Sequence, residues 1–175
     1  MSSSSDVETV WRGRYLEMKQ DGRWEYAARV RDTKAAMIFA VTSENCLLLV
    51  EEYRPPIRRF SICAPAGLCG DGDRFESEED AARRELLEET GYEADEMEYL
   101  FSGPSSPGLS SEVISFYRAH GLRKAGRGGG VDNERIVVHE VPLSGIETWL
   151  RERMDEGKAI DPRIFTGLYF IQKNP

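Results

Sequence analysis

Glu85, Glu88 and Glu89 stand within the stretch RRELLEETGY, residues 83–92. In a helix they fall at i, i+3 and i+4, on one face. Like charges at that spacing repel, so the face calls for a counter-charge. Hard divalent cations such as Mg2+ take oxygen ligands and share them with substrate phosphates, and clustered carboxylates on a rigid helix offer such ligands. Arg84 can pair with a neighbouring carboxylate and orient it. A solvated acidic helix face is the competing reading of the same residues. The wider charge pattern is uneven: residues 70–100 hold thirteen acids and three bases, and residues 12–34 hold seven bases and four acids. The acidic segment argues against docking on nucleic acid by itself.

The carboxylates need a helix, and the sequence marks its ends. Ser77 or Glu76 starts it, Glu78, Glu79 and Asp80 suit its positive N-terminal end, and Gly91 is a natural stop after Thr90. Upstream, Gln20-Asp21-Gly22 is a turn between two candidate strands, giving an N-terminal hairpin or meander. AAMIFAVT and CLLLVEEYR read as buried strands, the second ended by Pro55-Pro56. FSICAPAGLCGDGD is a short strand breaking into a Gly-rich loop. Downstream, EMEYLFSG, EVISFYRAHGL and RIVVHEVPL are strand candidates, and GRGGGVDNE reads as a flexible loop. Ser144 to Glu147 has the form of a capping box opening a helix to about Gly157, and Asp161-Pro162 caps a last one. Intermixed strands and helices imply an α/β fold with a mixed sheet covered by helices.

The chain of 175 residues, 40% hydrophobic and 31% charged, suits one globular domain. No apolar run approaches the ~18 residues of a membrane span. MSSSSDVETV has neither a basic region nor an apolar stretch, so it reads as a frayed tail rather than a secretory signal. Cys46, Cys63 and Cys69 lack metal spacing and read as small buried residues in a reduced, cytoplasmic setting.

The spacing from Gly70 is more specific: Gly, five residues, Glu76, seven residues, then Arg84-Glu85-Leu86-x-Glu88-Glu89-x-Gly91-Tyr92. Nine fixed positions over 23 residues match the signature of the Nudix hydrolases, and the chain resembles that superfamily. The resemblance implies an α/β/α sandwich around a mixed sheet, and hydrolysis of a nucleoside diphosphate linked to another moiety. It implies Glu85 and Glu89 as the main Mg2+ ligands, with Glu88 assisting and Mn2+ able to substitute. Glu76 and Arg84 would shape the helix and support those carboxylates.

EEYRPP, PAGL before the box, SPGLSSEVISFYRA and NERIVVHEVPL resemble one branch, the ADP-ribose pyrophosphatases. That likeness implies Glu134 as the late-loop carboxylate that acts as catalytic base or contacts the metal, with Asp132 as a second candidate, and the Ala66 carbonyl as a further metal ligand. It places Arg54 on the diphosphate or terminal sugar, Pro107 and Gly108 in a substrate loop, and Trp24 and Tyr15 on the base with Arg29 assisting. The glycines from Gly126 to Gly130 would let the base move in when substrate binds. Residues 1–34 would form a tail and an antiparallel β extension serving dimerisation and base binding, and residues 35–175 the catalytic domain. The partner would be a second copy with exchanged N-terminal strands; neither nucleic acid nor membrane is expected.

Three features depart from the branch. Gly67, not Gly70, follows Pro65-Ala66, so the loop to Glu76 is three residues long for the branch. Cys63 stands where the branch has Glu. Tyr15 and Trp24 replace a pair of tryptophans. The expected reaction is Mg2+-dependent cleavage of ADP-ribose to AMP and ribose 5-phosphate. The alternatives are another sugar nucleotide such as GDP-mannose, or a catalytically weak ADP-ribose-binding domain.

Overall fold

A computed structural model describes residues 7–31, 33–70, 76–131 and 135–173. Three antiparallel strands open the chain: β1 (Glu8–Arg12), β2 (Leu16–Asp21) and β3 (Trp24–Arg29). The β2–β3 turn passes through Gly22 at φ +58°, as Asp21-Gly22 predicted. β1 corrects the sequence reading, which left residues 1–10 as a tail; every residue of β1 is exposed, so no apolar periodicity announced it.

Next come β4 (Ala35–Ala40), β5 (Cys46–Arg54), β6 (Arg59–Cys63) and β7 (Ala66–Leu68), then helix α1 (Glu78–Thr90). β8 (Tyr92–Glu93), β9 (Glu96–Pro104), β10 (Val113–His120), β11 (Arg123–Lys124) and β12 (Val137–Pro142) follow. Helix α2 (Ile146–Asp155), β13 (Ala159–Ile160) and helix α3 (Arg163–Lys173) end the described chain. One sheet runs β7-β4-β10-β9, with β4 and β10 parallel; another runs β12-β5-β6-β13, and β8 pairs with β11.

Strand alternation divides the core. On β4, Ala36, Ile38 and Ala40 join Ala81, Ala82 and Leu86 of α1, while Met37 and Phe39 join β5, β6, α2 and α3 through Leu49, Ile62, Leu150 and Ile164. β4 is therefore covered on both faces, which is why its sequence is apolar throughout. The mixed α/β architecture agrees with the fold class read from the sequence.

Two local readings change. α2 begins at Ile146 after a short 3-10 turn, so Gly145 occupies the cap and has no side chain to offer; the Ser144 capping box does not form. At α3 the expected aspartate cap is present, with the Arg163 amide donating to Asp161 Oδ1 at 2.9 Å.

Candidate active site

α1 forms where its end signals predicted. The Ser77 hydroxyl accepts from the Asp80 amide at 3.0 Å, and Gly91 stops the helix at φ 75°, its amide donating to the Leu87 carbonyl at 2.8 Å. Burying Ala81, Ala82 and Leu86 against β4 sets the acidic flank alongside β7. Arg84 organises that flank. Its guanidinium donates to Glu76 Oε1 at 2.8 Å and Oε2 at 3.0 Å, to Glu85 at 2.8 Å, to Glu88 at 3.0 Å and to the Leu68 carbonyl at 3.0 Å. One cation thus answers three carboxylates, and the Glu76 hydrogen bonds are the largest cause of its raised pKa. Glu89 is buried and accepts from the Ala66 amide at 3.0 Å.

The two candidate box glycines have different jobs. A Cβ on Gly67 would lie 1.9 Å from the Glu85 carboxylate carbon, so only glycine lets β7 approach this carboxylate. Gly70 sits at φ +68° and its amide donates to Glu76 at 3.1 Å. Gly67 therefore faces the carboxylates, and Gly70 ties down the end of the lengthened loop.

The donor chemistry here fits a hard cation, since Glu85, Glu88, Glu89 and the Ala66 carbonyl offer only oxygens. The carboxylates are not gathered around a point. Among the described residues no three acidic, histidine or cysteine side chains converge as a metal site; Glu85 and Glu88 turn to Arg84.

The sequence-predicted substrate residues fall in separate places. Arg54, half-exposed at the end of β5, pairs with Glu52. Arg29 donates to Glu112 at 3.0 Å. Pro107 and Gly108 form a turn whose flanks pair with β3, the Ala27 amide donating to Leu109 and the Ser111 amide to Ala27. Tyr15 and Arg29 line one cavity. Trp24 lies at the other end of β3, five residues from Arg29 and so about 17 Å along the strand. One protomer does not bring Tyr15 and Trp24 onto the same base. Glu134 and Asp132 lie outside the described residues.

Arg163 escaped the sequence reading. It is held by Asp161 at 2.8 and 3.0 Å, and Asp161 lies near enough to act on the Cys63 thiol, as do Glu89, Arg54 and Glu52. Only the Asp-Pro cap signal touched this place, and it pointed to a helix end rather than a site. Cys63 is buried at the centre of these charges. Burial, then the negative charge of Glu89, pushes its thiol up to about 12. Cys63 therefore stays protonated at neutral pH and is no nucleophile. Iodoacetamide at pH 8 is expected to leave it unmodified in the folded protein and to label it after unfolding; rapid labelling of the folded state would contradict this.

The glycine-rich segment is not the flexible loop expected from its composition. It straps the C-terminus of α1. Ala125 and Gly126 donate to the Gly91 carbonyl at 2.8 and 2.9 Å, Gly129 to Glu89 at 2.8 Å, and Gly130 to Glu88 at 3.0 Å. These amides satisfy helix-end carbonyls where α1 has no basic residue in its last turn. At Gly128, with φ +66°, a Cβ would lie 2.5 Å from the Glu89 carbonyl and 2.4 Å from the Thr90 carbonyl carbon, backbone atoms that cannot turn aside. At Gly126 the nearest atom would be 3.9 Å away. Gly128→Ala is expected to cost about 1–3 kcal/mol in urea unfolding, with Gly126→Ala within about 0.5 kcal/mol of wild type. Equal losses would contradict the strap.

A NUDIX domain family model matches residues 31–157. The chain belongs to the Nudix family, and it is a pyrophosphohydrolase of that family. A methanol dehydrogenase activator from Bacillus methanolicus is 34% identical over 95% of this chain and 90% of its own length. An ADP-ribose pyrophosphatase from Bacillus subtilis is 33% identical over 65% of this chain and 60% of its own, and a GDP-mannose pyrophosphatase from Yersinia enterocolitica 38% over 74% and 71%. The crystal structure of an ADP compounds hydrolase superposes with TM-score 0.72 at 24% identity, over 96% of this chain and 90% of that one. Among the described residues no helix is long and apolar enough to cross a membrane.

Proposed function

We propose that this protein hydrolyses the diphosphate of ADP-ribose or a related nucleoside diphosphate sugar, with Mg2+, to a nucleoside monophosphate and a sugar phosphate. The observation that carries the proposal is the acidic flank of α1, where Glu85 lies against the bare backbone of Gly67, Glu89 takes the Ala66 amide and Glu88 is held on Arg84. Glu85 and Glu89, helped by Glu88 and the Ala66 carbonyl, would hold the cation. When bound, a divalent cation supplies the positive charge that a diphosphate needs to approach three carboxylates and be attacked by water.

The chain's own residues do the rest. Arg84 fixes the directions of Glu85 and Glu88 and ties them to Glu76 and the Leu68 carbonyl. Arg54 contacts the substrate's phosphate or sugar, and Glu134 takes the proton of the attacking water. The separation of Trp24 from Tyr15 supports a base site shared between two copies that exchange their N-terminal strands, and exposed Val10, Trp11 and Leu16 support such a pairing.

A panel of ADP-ribose, ADP-glucose, GDP-mannose and UDP-glucose, followed by coupled phosphate release, tests the substrate. ADP-ribose is expected to give the highest kcat/KM. A preference for GDP-mannose keeps the chemistry and changes the nucleoside, and no turnover on any of them rejects the proposal. A second reading, that the chain activates a partner dehydrogenase, draws on the relative that matches 95% of it. Stimulation of a methanol dehydrogenase by the added protein would support that reading.

A further inference from the structure

A cavity of about 300 Å3 lies where the N-terminal sheet meets β7, lined by Arg14, Tyr15, Arg29, Arg31, Thr33 and Leu68. Three of its lining residues are arginines. Glu112 neutralises Arg29, and Arg14 covers the Tyr15 ring at 4.9 Å from its centroid. Among the described residues neither Arg14 nor Arg31 has a carboxylate partner. Clustered like charges lining a concavity raise the local concentration of counter-ions, so this place selects an anion.

That anion is not the reacting diphosphate. β7 is an edge strand, and its two faces differ. Gly67 pairs with Ala36 and points at Glu85, on the α1 side. Leu68 pairs with Ala35 and points to the opposite side. The arginine cavity and the carboxylates are thus separated by one strand at an open sheet edge. A nucleotide crossing that edge can set its diphosphate at α1 and a second anionic group among the arginines. The Arg14–Tyr15 stack suits a flat base, and Arg31 adds charge that an uncharged ribose does not need.

We infer that this cavity binds a phosphate monoester on the nucleoside part of the substrate, so that the enzyme prefers a nucleoside diphosphate sugar carrying a third phosphate. The inference rests on the hydrolase reading above and narrows its substrate. The test compares kcat/KM for ADP-ribose and 2′-phospho-ADP-ribose in wild type and in Arg31→Gln. It adds calorimetry of adenosine 2′,5′-bisphosphate against AMP, which needs no turnover. The phosphorylated substrate is expected to be favoured about ten-fold or more through KM, as charge-assisted hydrogen bonds to one phosphate give. Arg31→Gln is expected to lower its kcat/KM about ten-fold more than that of ADP-ribose. Equal use of both substrates by wild type overturns the inference. Equal loss on both in Arg31→Gln also overturns it, because the arginines then serve the reacting diphosphate. Hydrolysis of neither defeats the hydrolase reading, and the calorimetry then decides the subsite alone: bisphosphate bound about ten-fold tighter than AMP supports it, and equal affinity overturns it.

Discussion

Glu89→Gln is expected to fold like wild type and to lose roughly a thousandfold or more in turnover. Glu89 is buried on α1, and its carboxylate accepts the Ala66 amide at 3.0 Å. A glutamine oxygen has the same size and reach and can accept that hydrogen bond, so the tie between α1 and β7 survives. What disappears is the negative charge. If that charge serves only the fold, kcat is unaffected and the melting temperature moves. If it holds a cation against the diphosphate, kcat collapses and the melting temperature holds. Turnover and thermal melts on the same preparation separate the two, and wild-type turnover in Glu89→Gln would remove the carboxylate from the reaction.

Gly67→Ala is expected to cost about a hundredfold in turnover with little change in stability. The added methyl would fall on the Glu85 carboxylate, with its carbon at 1.9 Å and its oxygens at 2.0 and 2.4 Å. Those atoms end a flexible side chain, so Glu85 can swing away cheaply and the fold is spared. The carboxylate is then out of place, and small misplacements of reacting groups have large effects on rate. Glu85→Ala in the Gly67→Ala background separates the causes. If the methyl acts through Glu85, the double variant is no worse than Glu85→Ala alone. Additive losses would place the effect elsewhere.

The box helix was legible because its signals are local. Ser77 and Gly91 act within a turn of themselves, and the i, i+3, i+4 spacing fixes one face whatever else surrounds it. The buried strands β4 and β5 were legible for a similar reason, since a short apolar run bounded by polar residues has few other uses. What the sequence could not show depends on long-range neighbours. The glycines at 126–130 read as flexible because composition reports freedom in the unfolded chain. In the fold their amides find the carbonyls of Glu88, Glu89 and Gly91, and Gly128 is required by close approach. The role of Gly67 depends on where Glu85 lies across the strand–helix boundary. Arg163 gains its place near Cys63 only when β13 pairs with β6 and brings the start of α3 beside it. Trp24 and Tyr15 were read together from the branch likeness, and within one protomer the length of β3 separates Trp24 from Arg29, beside which Tyr15 lies. The pairing of Arg84 with a neighbouring carboxylate was legible from their adjacency, while its reach to the Leu68 carbonyl depends on where β7 lies.

The central claim is that these carboxylates serve cation-dependent cleavage of a diphosphate. The most direct measurement is product chromatography of ADP-ribose incubated with the full chain in EDTA and then with excess Mg2+. The account predicts intact ADP-ribose in EDTA, with AMP and ribose 5-phosphate appearing when Mg2+ is restored. Undiminished cleavage in EDTA would contradict it, as would ADP-ribose left whole in saturating Mg2+.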